Sequence, residues 1–370
     1  MVNLWIDSLQ RYGLDKARML NGSSGQAWAE IGAAWTLSAA NPRTGELHLR
    51  LSNGVAHNEA RRVYGDQLGA VYFGQAIYAS ALPSAEHSIG LNISIRGMFL
   101  AAFRDQANNN QVTCWLGTDG AIVAYRDGTL HDNGQFTGTQ LGRTAPVIGA
   151  GAYHHIEYFL HVDNATGALE IRVNEVTCLN LTGIDTVATG NVEVSQVAVG
   201  LTGSCMSGTI DMADVYVNDP DDDGSGCNDF IGDVKVGLLL PSADTAQADF
   251  TLSAGSDGYA LLNETPPVDS SYISTTATTA RSDFALTDAP SNTTEILTVR
   301  PWIRALKDDA GTCTMAPSLQ SNSVDAAVAD QPVTTAAAYH DSNVPFDPDT
   351  DAPWTLAGLN AARLIIERTA

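Results

Sequence analysis

Between Ile156 and Val173 the apolar residues fall on every second position on both sides of one turn. Ile156, Tyr158, Leu160 and Val162 lead into Asp163-Asn164-Ala165-Thr166-Gly167, and Leu169, Ile171 and Val173 follow. A period of two gathers each set on one side of a pleated strand, and a polar, Gly-ended turn brings the two strands side by side. The same grammar recurs along the chain. Leu47, Leu49 and Leu51 alternate before Ser52-Asn53-Gly54, and Ile89, Leu91, Ile93 and Ile95 alternate before Gly97. Met98 to Phe103, Val112 to Leu116, Ile122 to Tyr125, Val192 to Leu201 and Ile210 to Val217 read as further strands separated by Asn, Asp and Gly turns. About a dozen short strands at this spacing, with no long helical pattern among them, predict an all-β double-sheet jelly-roll sandwich.

The chain has 370 residues, more than one hydrophobic core usually serves. Its composition shifts at Asn218-Asp219-Pro220-Asp221-Asp222-Asp223-Gly224-Ser225-Gly226, a polar run in which few contacts could hold a core together. The expected organisation is a jelly-roll domain over residues 1–218, an acidic linker over 219–227, and a smaller β-rich assembly or docking domain over 228–370. In the last part Val234 to Leu240, Phe284 to Leu286, Glu295 to Leu306 and Leu364 to Glu367 are strand candidates. Ser270 to Ala280 and Ser321 to Ala338 are Ser-, Thr- and Ala-rich connections, read either as packing on their own domain or as docking on a neighbouring copy, which makes a homo-oligomer the expected state.

Asp and Glu number 42 against 19 Lys and Arg, a formal charge of −23, so the mean field repels a phosphate backbone and nucleic acid is not an expected partner. The opening residues meet Asp7 and Arg11 before any apolar stretch of signal-peptide length, and no run of 18 apolar residues occurs, so neither secretion nor membrane insertion is expected. Five dispersed cysteines, Cys114, Cys178, Cys205, Cys227 and Cys313, read as reduced thiols rather than a disulfide framework.

Several segments together resemble tailed-bacteriophage virion proteins that carry an N-terminal concanavalin-like (laminin-G-like) jelly roll followed by a smaller β-rich domain. They are Trp5-Ile6-Asp7-Ser8-Leu9-Gln10-Arg11-Tyr12, Tyr153-His154-His155-Ile156-Glu157, the hairpin Val162 to Asn174, Ile210 to Val217, Asn228 to Val236, and Ala352-Pro353-Trp354-Thr355. The chain departs from that group at Leu9 and Arg11-Tyr12, and at Glu175, where the group usually has Gly. The resemblance implies a virion structural component, of tail, tail-fibre, baseplate or head-accessory type, assembled in the host cytoplasm and bound to other virion proteins. Its lectin-like jelly roll implies host surface glycans as a further partner, which makes a glycan-binding adhesin the alternative function and a polysaccharide-degrading enzyme the second alternative.

Asp219, Asp221 and Asp223, with Gly224, match the opening of a calcium loop, but position twelve is Phe230 rather than Glu; calcium there is the alternative to a solvated acidic linker. Asp347, Asp349 and Asp351 repeat the alternation without the Gly, in a Pro-stiffened loop that would position Trp354. Trp115, Tyr125 and Tyr153 are the aromatic candidates for stacking on sugars, weighed against core packing. His154 and His155 are neighbours on a strand, so they point to opposite faces and cannot share a metal; His154 goes with Ile156, and His155 with Glu157 outside. Glu170 and Glu175 do not form a close carboxylate pair, and no Gly-x-Ser-x-Gly, phosphate-loop or His-Glu-x-x-His motif occurs. On these grounds no catalytic residue is assigned and the chain is expected not to be an enzyme.

Overall fold

The computed structural model describes residues 5–7, 9, 28–40, 43, 47–52, 58–84, 97–130, 136–202, 208–220 and 228–370. The chain divides into two compact units, residues 1–9 with 28–236 and residues 10–27 with 237–370. The division after Val236 puts the sequence-derived linker, 219–227, inside the range of the first unit.

The first unit is a sandwich of two antiparallel sheets. Its strands are β1 (Trp5–Asp7), β2 (Glu30–Ile31), β3 (Trp35–Ser38), β4 (His48–Ser52), β5 (Asn58–Leu68), β6 (Ala70–Ala79), β7 (Gly97–Arg104) and β8 (Asn110–Leu116). They continue as β9 (Ile122–Leu130), β10 (Phe136–Arg143), β11 (Tyr153–His161), β12 (Gly167–Val173), β13 (Val176–Ile184), β14 (Val194–Thr202) and β15 (Thr209–Asn218). One sheet has eight strands in the order β13-β12-β11-β6-β15-β4-β3, with β1 also on β15; the other has seven, β10-β9-β8-β7-β14-β5-β2. Hairpin neighbours such as β11-β12-β13 and β7-β8-β9-β10 alternate with pairings distant in sequence, such as β6 with β15 and β5 with β14, as in a jelly roll.

The hairpin read from the sequence is present in register: Ile156 faces Val173, Tyr158 faces Ile171 and Leu160 faces Leu169. Asp163 shapes its turn by accepting the backbone N–H of Ala165 at 2.7 Å and of Thr166 at 2.6 Å. The inward side chains of the two sheets interlock. Phe73 on β6 and Tyr158 on β11 lie 5.8 Å apart between ring centres, and Phe103 on β7 meets them edge-on at 6.2 and 5.9 Å. Gln75 is the polar member of this core; fully buried, it donates to the carbonyl of Leu100. The alternating run Ile89 to Ile95 lies outside the described residues.

The second unit is built on a six-stranded antiparallel sheet. Pro241–Ala248, Arg281–Leu286, Arg363–Arg368, Thr314–Ser321 and Val324–Asp325 follow one another across it, and Gln331–Pro332 also pairs with Thr314–Ser321. One apolar cluster gathers Phe250, Phe284, Ile303, Leu364 and Ile366, and another gathers Leu319, Val344, Trp354 and Leu359. Trp354 therefore belongs to this unit's own core, where its indole N–H donates to the carbonyl of Val344 at 3.0 Å.

Two strand expectations are corrected here. Residues 234–240 form no strand; the backbone N–H of Val236 is taken by the Asp214 carboxylate instead of a ladder. Of Glu295 to Leu306 only Trp302–Ala305 is a strand, because Pro301 has no N–H to continue a ladder toward Val299. The Ser/Thr/Ala-rich connections bond within their own unit: Ser318 Oγ donates to Ala326 O, and Val333 N to Cys313 O.

Candidate functional site

The outward face of the eight-stranded sheet is covered yet polar. Register places its side chains in rows across β15, β6, β11 and β12. Asp211, Tyr78 and Tyr153 share one row, Ala213, Ala76 and His155 the next, then Tyr216, Gly74, Glu157 and Arg172, and last Asn218, Tyr72, Phe159 and Glu170. Two backbone features make this face. A bulge in β15 at Asp214, whose φ is 49°, shifts the alternation by one residue, so that Val215 and Val217 point into the core and Tyr216 and Asn218 point out. Gly74 then leaves room for the Tyr216 ring, since a Cβ there would stand 1.9 Å from Tyr216 Cε1.

The Tyr216 hydroxyl donates to Glu157 Oε1. Burial pushes the Glu157 carboxyl up from its ordinary range, against the opposing bonds from Tyr216 and Gly232. His155 lies with its ring against Tyr216, 6.3 Å between centres, and is 2% exposed. Burial, with help from the nearby Arg43 cation, pushes its imidazole down to about 3. Asp211 sits fully buried. Burial alone would raise its carboxyl, but Arg50, bonded at 2.6 and 2.7 Å, and His48 hold it below the usual range. Asp214 is raised, mainly by burial, despite its 2.6 Å bond from Arg43.

A segment without strand pairing, Asp229 to Val236, lies over these rows. The Gly232 N–H donates to Glu157 Oε1 at 2.8 Å, Val236 N–H to Asp214 Oδ1 at 3.1 Å and Asp233 N–H to Glu175 Oε1 at 3.3 Å. Arg43 donates to the Val234 carbonyl at 3.1 Å and pairs with Asp233. The Phe230 ring meets Tyr72 edge-on at 4.9 Å, with the Arg172 guanidinium 3.8 Å from its centre. Beside this cover Tyr78 and Tyr153 are half-buried and 5.4 Å apart.

Of the aromatic candidates, Tyr153 thus belongs to this face. Trp115 and Tyr125 lie together elsewhere, on the outward face of the seven-stranded sheet, in an apolar cluster with Phe99, Ala102, Val123 and Ala198. There Trp115 is 2% exposed and donates its N–H to Thr113 Oγ1 at 2.8 Å. His154 and His155 do point to opposite faces, but His155 and Glu157 are covered rather than outside, because Asp229 to Val236 lies on them. Asp219 is half-buried just past β15, while Asp221 and Asp223 lie outside the described residues. Asp347 accepts the Asp349 N–H at 3.0 Å within its own loop. Among the described residues no three His, Cys, Asp or Glu side chains converge as metal ligands, and no helix is long and apolar enough to cross a membrane. Cys114, Cys178 and Cys313 are free thiols. The cluster around Glu157 escaped sequence reasoning because its members come from β6, β11 and β15. The one signal on the page was the phase jump from Ile210 and Met212 to Val215 and Val217, which marks the bulge.

No family model and no curated protein matches the sequence. Among solved structures, the chain is similar to the catalytic domain of a glycoside hydrolase family 131 protein from Coprinopsis cinerea, with 13% identity, a TM-score of 0.39, and coverage of 62% of this chain and 97% of that one. It is also similar to a carbohydrate esterase from the Shiga toxin-encoding bacteriophage phi24B, with 10% identity, a TM-score of 0.33, and coverage of 54% and 95%. A sialidase matches at 12% identity and a TM-score of 0.35 over 53% of this chain, which spans only 17% of the sialidase. At these identities the likeness concerns the sandwich fold alone. Enzymes stand among these similar structures, and the expectation that the chain is no enzyme is withdrawn. The missing linear motif had excluded too much, because a sandwich assembles its sites from separate strands.

Proposed function

We propose that the first unit is a glycan-binding jelly roll, presented in repeated copies on a tailed-phage particle for attachment to host surface sugars. The observation that carries the glycan reading is the half-buried Tyr78 and Tyr153 pair, in one row with the Asp211 and Arg50 ion pair. Aromatic faces stack on the C–H surface of a sugar ring, and a fixed carboxylate and guanidinium beside them offer acceptors and donors to its hydroxyls. Single sugar sites bind weakly, and repeated copies raise avidity without new contacts. The particle assignment is supported by the sequence resemblance.

A host-glycan array with the full chain tests the binding. Retention of an oligosaccharide, weakened about tenfold in Tyr153→Ala by the loss of one stacking ring, is the expected result. No retention at all defeats the reading. Antibody labelling of purified particles tests the location, and particles without label defeat it. A second reading, a polysaccharide-degrading enzyme, is favoured by the Glu157 carboxyl, the Tyr216 hydroxyl and the neutral His155 imidazole lying on one face; release of reducing ends from host polysaccharide would establish it.

A further inference from the structure

The covered rows carry hydrogen-bonding capacity that the chain itself does not use. Among the described residues neither ring nitrogen of His155 has a partner, although the residue is 2% exposed, and Asn218 Oδ1 has none although Asn218 is fully buried. A buried polar atom without a partner is costly, so two such groups on one face call for an explanation. Beside His155 the floor is low, because Ala76 and Ala213 complete its row, while the next row toward Asn218 is filled by the Tyr216 ring lying over Gly74. The cover lacks ladder hydrogen bonds and is held by the Gly232, Asp233 and Val236 amides, the Arg43 contacts and the Phe230 ring. Phe230 itself fills a space between Tyr72, whose ring centre is 4.9 Å from its own, and the Arg172 guanidinium, 3.8 Å from its centre.

We propose that Asp229 to Val236 is a displaceable cover over a groove for a neutral oligosaccharide, in which His155 and Asn218 engage hydroxyls and a sugar ring takes the place of Phe230 between Tyr72 and Arg172. This rests on the glycan reading above and extends it from the open Tyr78 and Tyr153 end to the covered rows. A hydroxyl can both donate to Asn218 Oδ1 or an imidazole nitrogen and accept from the other imidazole N–H. The ligand is neutral because Glu157, Glu170, Asp211 and Asp214 stand on the same face and Arg43, Arg50 and Arg172 are already engaged with carboxylates or with Phe230. An anionic sugar would therefore find these cations already committed to the protein's own carboxylates.

The test uses the full chain and a panel of immobilised neutral hexose and N-acetylhexosamine oligosaccharides alongside uronate oligosaccharides. Hydrogen exchange with the retained oligosaccharide should show faster exchange over residues 229–236. Phe230→Ala should bind it about tenfold more tightly, and His155→Ala about tenfold more weakly. An oligosaccharide retained with unchanged exchange over 229–236 and unchanged affinity in Phe230→Ala overturns the cover and leaves the glycan reading standing. Retention of uronates alone overturns the neutral class. If neither the wild type nor Phe230→Ala retains any member, both readings fall together. Exchange in the wild type keeps the test valid should a variant fold poorly.

Discussion

The outward faces of the two sheets both bury side chains, and they bury different chemistry. On the seven-stranded sheet Phe99, Trp115, Val123 and Tyr125 make an apolar patch, and the charged pair on the same side, Glu59 with Arg104, is joined by two bonds of 2.7 and 2.8 Å, with Arg104 also donating to Asn108 and Asn110. On the eight-stranded sheet the covered groups are His155, Glu157, Asp211, Asp214 and Asn218, with hydrogen-bonding atoms left over. Burying apolar surface stabilises a fold at little specific cost, whereas burying polar groups is costly unless every one is satisfied. The first face is accounted for mainly by stability, with Arg61 Nε a buried polar atom left over there. The second is not, and that imbalance is why we place function there.

Replacing Trp115 with Ala should therefore cost about 3–5 kcal/mol of stability, the usual range for emptying a buried Trp site, and leave glycan retention unchanged per folded molecule. Urea unfolding and the array measure the two effects. Lost retention with little lost stability would reverse the comparison and return the sugar site to the seven-stranded sheet. Gly74→Ala probes the other face. The new Cβ would collide with the Tyr216 ring at 1.9 Å, so the ring must leave and Glu157 loses its hydroxyl donor. Overpacking with a broken buried bond should cost about 2–3 kcal/mol. A variant as stable as the wild type would show that Tyr216 does not lie across Gly74.

His155 sharpens the contrast through pH. Folded, its imidazole is held neutral, with a pKa down at about 3, while unfolded it titrates near the ordinary value of about 6.5. Below that ordinary value the unfolded chain takes up a proton the folded chain refuses, so this contribution is complete above it and is lost as pH falls toward 3. At pH 5 the loss amounts to about 2 kcal/mol. Glu157 and Asp214, raised by burial, act in the opposite sense, taking up protons early in the folded chain and favouring it as pH falls. Comparing wild type with His155→Gln at pH 7 and pH 5 separates the effects: the stability gap between them should shift by about 2 kcal/mol in favour of the variant at pH 5. A gap independent of pH would place His155 in water.

Much of the sandwich could be read from the chain because its core obeys a period of two in β11 and β12, where Ile156, Tyr158 and Leu160 face Val173, Ile171 and Leu169. The two strands that build the polar face were harder. In β6 Gly74 and Gln75 break the look of an apolar alternation, Gly74 because it makes room for a ring from β15 and Gln75 because it turns inward to a carbonyl. In β15 the bulge at Asp214 hides the period. The end of the cover was read as the start of a strand running from Val234 to Leu240, yet the cover's amides answer to carboxylates on β11 and β15 that lie far away in sequence. Carboxylates gathered from separate strands leave no linear spacing to find.

The turn between β12 and β13 joins the two questions of fold and cover in one residue. Asn174 and Glu175 both adopt the left-handed region, with φ of 50° and 67°, as a tight two-residue hairpin turn requires. Asn tolerates this conformation; Glu, with its Cβ near the following carbonyl, does so at a cost of about 1–2 kcal/mol. Glycine, lacking a Cβ, would adopt this conformation without that cost. Glu175→Gly removes the strain, while glycine's greater freedom in the unfolded chain returns about 0.5–1 kcal/mol. The exposed 3.3 Å bond from the Asp233 N–H is lost as well, a matter of a few tenths of a kcal/mol at such a surface position. The net expectation is a small gain, about 0.5 kcal/mol, together with faster exchange at the Asp233 amide. Thermal unfolding and hydrogen exchange read the two separately. A destabilised variant would mean that Glu175 holds the cover more tightly than one long bond implies, and the cover would then be part of the fold rather than a lid upon it.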